Sequence, residues 1–144
     1  MTDFDKIDKC KNILVTRLFE PKENKLVIEV CLGQISETEE DLFISEVNLG
    51  PLKKINFDND RSVYTIYFEN YISYFVINES YDNQAVGEFS GNKIRKYQTS
   101  PYIDFCKKET LGYQLYSDKE INHFGIITSR HIINILTTSL PQIK

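Results

Sequence analysis

Two histidines, His123 and His131, are the only side chains of this sequence that ordinarily titrate near neutral pH. A pair of imidazoles can serve as general acid and general base, so a small hydrolase or nuclease using both is one function open to the chain. The spacing does not favour it, because neither histidine lies in an HxH, HxxxH or HExxH pattern. A structural or surface role is the stronger interpretation for each ring, and the enzyme remains the alternative hypothesis.

Motifs for other catalytic chemistry are missing from the sequence. The glycines form neither GxGxxG nor GxxxxGK[ST], and no serine lies in a GxSxG elbow. The three cysteines, Cys10, Cys31 and Cys106, are widely spaced without a CxxC pair, which argues against a disulfide framework or a zinc site. We predict no catalytic residue, no metal site and no cofactor, and interpret Cys31 and Cys106 as small buried hydrophobes.

Acidic residues are concentrated in one part of the chain. No Lys or Arg lies between Lys25 and Lys53, a stretch that contains Glu29, Glu37, Glu39, Glu40, Asp41 and Glu46. The formal net charge of −4 argues against nucleic acid as the main partner, because phosphate binding needs a basic surface. The stretch is either a solvated loop or a patch that attracts a basic protein by electrostatic steering. On the second interpretation, the candidate partner-binding residues are Glu37, Glu39, Glu40 and Asp41, followed by Asp58 and Asp60.

The stretch 62–81 is rich in aromatic and β-branched residues and ends in a polar cluster. This composition is typical of one kinked strand or two strands at a sheet centre. At the polar end, Glu79 could form a structural ion pair with Arg95 across a sheet. Alternatively, Glu79, Tyr81, Arg95 and Tyr97 form one exposed binding surface, since Tyr and Arg are enriched at interface hot spots. On that interpretation Glu79 and Tyr81 join the candidate partner-binding residues.

Strand signals predominate along the chain. Further strands are predicted at 12–19, 25–32, 42–49, 52–57, 88–99, 123–128 and 132–138, with an acidic loop at 33–41 and a strand-breaking Gly50-Pro51. The clearest helix start is Ser100-Pro101, because Ser is a favoured N-cap and Pro suits the first helical position. We predict an α+β fold that is β-rich, with a mostly antiparallel sheet and one short helix near residues 101–110, in a single domain spanning 1–144.

The chain lacks the signals that direct a protein to a membrane or out of the cell. No segment approaches the roughly 18 consecutive apolar residues of a membrane span. The N-terminus alternates charges and has no apolar region of the kind found in signal peptides. We therefore expect a cytoplasmic protein without membrane contact.

Several short motifs occur together in the second half of the chain. They are Phe68-Glu69-Asn70-Tyr71, Tyr74-x-Val76-x-Asn78-Glu79-Ser80-Tyr81, Glu88-Phe89-x-Gly91, Arg95-x-Tyr97, Ser100-x-Tyr102-Ile103-Asp104-Phe105, His123-Phe124-Gly125-Ile126 and His131-Ile132-Ile133-x-Ile135. With these motifs, residues 68–136 resemble a group of small, largely uncharacterised bacterial proteins of the immunity type found in toxin systems. Phe68 stands where the group usually has Trp, and Arg130 where it commonly has Asn. The resemblance brings no catalytic residues with it.

The resemblance and the acidity lead to one hypothesis about function. It implies a non-enzymatic cytosolic binding protein that neutralises a toxin by occluding its active site. The expected partner is a cognate basic toxin domain, which the acidic residues would attract and a few buried aromatic side chains would anchor. A homodimer formed through a sheet edge is compatible with this function.

Overall fold

The described part of the chain folds into two antiparallel sheets, a separate two-stranded ribbon and three short α-helices. A computed structural model describes residues 1–44, 47–56, 62–84 and 87–144. Over most of 34–56 it defines the backbone and the strand pairing. The helices are α1 (Asp3–Lys9), α2 (Pro101–Glu109) and α3 (Gly112–Leu115). The strands are β1 (Ile13–Phe19), β2 (Leu26–Leu32), β3 (Gln34–Ile44), β4 (Val47–Asn56), β5 (Val63–Phe68), β6 (Tyr71–Asn78), β7 (Phe89–Ser90), β8 (Ile94–Tyr97), β9 (Asn122–Ile127), β10 (His131–Thr137) and β11 (Gln142–Ile143).

The strands are distributed over the sheets in a simple order. The first sheet runs β1-β2-β5-β11 and the second runs β6-β10-β9-β8-β7, while β3 and β4 pair with each other. Every pairing in the described part of the chain is antiparallel. The predicted α+β, β-rich antiparallel fold is confirmed, and so is the predicted helix, which the structure has as α2.

One apolar core joins the two sheets. Ile28 and Ile66 enter it from the first sheet and Ile126 and Ile135 from the second, all fully buried. Isoleucine suits these positions because its β-branched side chain packs well on a pleated surface. Complete burial of each such side chain contributes about 1.5–3 kcal/mol, so the core is the main source of stability.

Residues 62–81 form two strands that belong to different sheets. The predicted turn at Glu69-Asn70 is present, but β6 is an edge strand of the second sheet and not a central one. Asn70 fixes the crossing between sheets: its Nδ2 donates to Thr138 Oγ1 (2.8 Å), and its carbonyl accepts from Thr137 Oγ1 (2.6 Å). The long aromatic run therefore divides its rings between the two sheets.

The acidic segment is a strand where the sequence predicted a loop. β3 includes most of the predicted loop at 33–41 and pairs with β4. The expected break at Gly50-Pro51 falls inside β4, where Gly50 takes a positive φ of 106° and the pairing register shifts. Glycine adopts this conformation without steric cost, so the strand accommodates the turn residues as an irregularity.

Two helices were not predicted from the sequence. α1 begins at a capping box, in which the Thr2 hydroxyl accepts from the Asp5 N–H and the Asp5 carboxylate accepts from the Thr2 N–H. The box uses Asp where Glu or Gln is usual, which weakens the sequence signal. α3 is only four residues long, too short to show a helical period.

The carboxylate of Asp8 attaches α1 to the second sheet. Its Oδ1 accepts three backbone N–H groups at the start of β8, from Asn92 (2.9 Å), Lys93 (2.7 Å) and Ile94 (2.9 Å). Gly91 precedes this group with φ of 89°, and a Cβ there would lie 2.1 Å from the Ile94 carbonyl oxygen. One side chain thus satisfies the donors of the turn between β7 and β8 and positions β8.

We predict that Asp8→Ala lowers the free energy of unfolding by about 2–3 kcal/mol, because three charge-assisted hydrogen bonds are lost. Asp8→Asn keeps an acceptor oxygen at the same place and should cost about 1 kcal/mol or less. Urea denaturation of the two variants and the parent measures the difference. Equal losses in the two variants would show that the three hydrogen bonds do not hold the turn.

Candidate functional site

A buried chain of hydrogen bonds links α2 to the middle of the second sheet. Ser100 Oγ lies 2.7 Å from His123 Nδ1, and His123 Nε2 lies 2.7 Å from Asn134 Oδ1. All three side chains are more than nine-tenths buried. Ser100 precedes α2, His123 is on β9 and Asn134 is on β10, so residues far apart in the sequence meet on one face of the sheet.

The hydrogen-bond partners of His123 define its tautomer. Asn134 Oδ1 can only accept, so Nε2 carries the proton and Nδ1 accepts the Ser100 hydroxyl proton. Ser100 Oγ in turn accepts the Ile103 N–H at 3.0 Å, as an N-cap does. Every hydrogen bond from the start of α2 to the sheet is therefore made with a neutral imidazole.

Two tyrosines enclose the imidazole. The Tyr97 ring is stacked on His123 with centroids 4.2 Å apart, and the Tyr102 ring meets it edge-on at 5.2 Å. Gly125 makes the stacking possible, because a Cβ there would lie 3.1 Å from the Tyr97 ring. Burial lowers the pKa of His123 to about 4, although the hydrogen bond with Asn134 acts in the opposite direction.

The connectivity of Ser100, His123 and Asn134 matches that of a catalytic relay in which histidine accepts a hydroxyl proton. Two properties favour a structural role. An imidazole with a pKa of about 4 is a weak base at neutral pH. In addition, the Ser100 oxygen is used to cap α2. These hydrogen bonds therefore fix α2 on the second sheet.

The second histidine lies away from the first. His131 pairs with Asn78 at one end of β10, whereas His123 pairs with Leu136 near the other end. Five residues of strand separate the two positions, which corresponds to about 17 Å. The cavity that His123 lines is not lined by His131. The structure thus does not form the acid–base pair that the alternative hypothesis requires.

Two adjoining cavities open on the same face of the sheet. The first has a volume of about 220 Å³ and is lined by His123, Asn134 and several aromatic side chains. The second has a volume of about 490 Å³ and has more polar walls. Asp82, Gln84 and Arg95 line both, so the cavities form one continuous depression.

The predicted surface around Glu79 is only partly formed. Glu79 and Arg95 line the second cavity, but they make no ion pair. Glu79 and Tyr81 belong to an exposed turn of 3-10 helix, where 82% of Tyr81 is accessible. Tyr97 is buried against His123. Glu79 and Tyr81 are thus exposed together, while Tyr97 contributes to the interior.

The acidic candidates fall on the ribbon or outside the described residues. Glu37, Glu39, Glu40 and Asp41 are all in β3. The pairing register places Glu39 opposite Lys53 of β4. Asp58 and Asp60 lie outside the residues that the structure describes.

The described residues also bear on the predictions about metal, membrane, cysteines and a homodimer. Among them, no group of three or more His, Cys, Asp or Glu is placed to hold a metal ion. No helix within the described ranges is long and apolar enough to cross a membrane. Cys31 and Cys106 are buried, as predicted. The homodimer stays a prediction; β6 offers it an edge with Phe75 and Val76 partly exposed.

Sequence reasoning missed Asn134 and the role of Ser100. The Ser100-Pro101 pair signalled a helix start correctly, but nothing local links it to His123. Asn134 lies among isoleucines in a strand. Its position in such an apolar run is the one sequence signal that its side chain needs a hydrogen-bond partner.

The depressed pKa of His123 makes stability depend on pH. Below about pH 6.5 the unfolded chain binds a proton at this position while the folded chain does not, so stability falls until the pH reaches about 4. We predict that this group removes about 2 kcal/mol of the free energy of unfolding between about pH 7 and about pH 5. Urea denaturation over this range measures it. In His123→Gln this contribution should be missing, and an unchanged pH dependence in that variant would contradict the assignment.

No protein-family model, no curated protein and no solved structure matches this chain. The resemblance of residues 68–136 to immunity-type proteins therefore stays a prediction from their motifs. A function has to be inferred from the geometry and charge of the residues described above.

Proposed function

We propose that this chain is a non-enzymatic binding protein of the immunity type, which neutralises a toxin by occluding its active site. The partner is a protein domain with a basic surface, such as the substrate groove of a nuclease. The observation that carries the proposal is the β3–β4 ribbon, which has an acidic strand and pairs with neither sheet.

The ribbon has the length needed to reach another protein. β3 has 11 residues and β4 has 10, and a strand of this length extends about 35 Å. Its backbone hydrogen bonds are made within the pair, so the ribbon does not use the edges of the sheets. An element of this kind can enter a groove on a partner while the two sheets keep their core.

The charges on the ribbon are unevenly distributed. Four carboxylates fall within residues 37–41, and the register opposes Glu39 with Lys53. Glu40 and Asp41 are opposite Leu52 and Pro51, which carry no charge. The strand thus keeps an excess of negative charge, which attracts a basic partner and accelerates association at low salt.

Tyr81 is a candidate for the aromatic anchor of the interface. Its ring is 82% accessible, and Glu79 is exposed in the same turn. A large aromatic ring left in water gains free energy when a partner covers it, and tyrosines are enriched at hot spots. Steering by the ribbon and anchoring by Tyr81 would then be separate contributions.

We place this activity in the cytoplasm. Cys10 and Cys106 are free thiols, and a reducing compartment keeps thiols in that form. A toxin made in the same cell must be neutralised there before it reaches its target, so cytoplasmic placement agrees with the immunity function.

The first experiment tests whether a toxin is present at all. The gene beside this one in the native genome is expressed alone and together with the chain, and growth is measured. We expect growth arrest when the neighbour is expressed alone and recovery on co-expression, with the two proteins purifying as a complex. Unchanged growth, together with no partner in a pulldown from the native host, would contradict the proposal.

A second experiment locates the interaction on the ribbon. In one variant Glu37, Glu39 and Glu40 become Gln and Asp41 becomes Asn. The matched control removes four exposed carboxylates elsewhere, by Asp104→Asn, Glu109→Gln, Asp118→Asn and Glu120→Gln. We expect the ribbon variant to associate with the captured partner about tenfold more slowly at low salt, and the control to change the rate about twofold or less. Equal slowing in both variants would indicate a net-charge effect and contradict a binding role for the ribbon.

A further inference from the structure

Arg95 presents unused hydrogen-bond donors to the depression on the second sheet. Its Nε donates to the Asn92 carbonyl (3.1 Å), and its guanidinium lies 4.3 Å from the centre of the Phe89 ring. Nη1 and Nη2 have no hydrogen-bond partner among the described residues. A guanidinium held along one edge and one face offers two parallel donors in a fixed position, which is the geometry that binds an oxyanion.

Asn134 supplies a second unused donor in the same place. Its Oδ1 is engaged with His123 Nε2, which fixes the orientation of the amide. Its Nδ2 has no partner among the described residues, although the side chain is more than nine-tenths buried and lines the first cavity. This donor opens onto the cavity and is not among the buried polar atoms without a partner, so a ligand atom in the cavity can accept from it.

The walls of the first cavity suit an apolar body of limited size. Phe75, Ile77, Tyr97 and Tyr102 contribute aromatic and aliphatic surface. The volume of about 220 Å³ is below the range of about 300–1,000 Å³ usual for drug-sized ligands. A single ring with few substituents therefore fits better than a nucleotide.

The charges around the second cavity limit the charge of the ligand. Lys11, Lys93 and Arg95 line it together with two carboxylates, Glu79 and Asp82. The three cations exceed the two carboxylates by one charge, which one negative charge on a ligand neutralises; further negative charges on a polyanion would have no counterpart. A monocarboxylate meets these conditions.

We propose that this depression binds a small aromatic monocarboxylate. The ring occupies the first cavity, which Asn134 lines, and the carboxylate accepts from Nη1 and Nη2 of Arg95. The site is separate from the ribbon, although Glu79, a candidate partner-binding residue, lines its second cavity. Its ligand is a small molecule recognised by one ring and one negative charge.

The test uses benzoate as the probe and benzamide as its neutral counterpart of equal shape. Both are titrated into the full chain, and amide shifts are followed by two-dimensional NMR. We expect benzoate to bind with a Kd of about 1 mM and to shift the amides of Tyr97, Ser100 and Asn134. Benzamide should bind about tenfold more weakly, because it lacks the charge that pairs with Arg95.

Two variants of Arg95 and one control locate the site. Arg95→Gln should weaken benzoate binding about tenfold, and Arg95→Lys should weaken it less, because the charge remains but the paired donors are lost. Lys96→Gln removes the same charge at the next residue, which lines a different cavity, and should leave the Kd unchanged. A spectrum like that of the parent verifies that each variant keeps the fold.

Three results would overturn the proposal. One is the absence of shifts at these residues with about 20 mM benzoate, well above the expected Kd. Another is equal affinity for benzoate and benzamide, which would mean that the carboxylate is not recognised. The third is equal weakening by Arg95→Gln and Lys96→Gln, which would reflect general electrostatics only.

Discussion

The hydrogen-bond chain from the Ile103 N–H through Ser100 and His123 to Asn134 is the interaction on which the outer face of the second sheet depends. The same atoms provide hydrogen-bond partners for an N–H in the first turn of α2 and for the buried imidazole. Loss of any member would leave a buried polar group without a partner, at a cost of about 1–3 kcal/mol. The N-terminal end of α2 forms one wall of the first cavity, so the shape of the depression follows from this chain.

In the proposed function, stability and recognition belong to different parts of the molecule. The isoleucine core joins the two sheets through apolar side chains. The ribbon adds negative charge outside the sheets, and the depression beside α2 adds a fixed cation among aromatic rings. This separation lets charged residues change the partner or ligand while the core keeps the fold.

The sequence predicted those features whose signals are local. Strands rich in Val and Ile, the Ser100-Pro101 helix start and the burial of Cys31 and Cys106 each depend on short-range pattern or on one residue type. The sequence predicts a loop at the position of β3 because Glu and Asp have low strand propensity, and the pairing of β3 with β4 overrides that preference. The contacts of His123 could not be predicted, since Ser100, His123 and Asn134 meet only through the order of the strands.

Hydrogen exchange on the complex shows whether the acidic ribbon contacts the partner, as we propose. The amides of β3 and β4 are measured in the free chain and in the complex with the neutralised toxin. We expect exchange to slow on the ribbon and around Tyr81, with little change in β9 and β10. Unchanged exchange over the ribbon, with protection confined to the sheets, would contradict it.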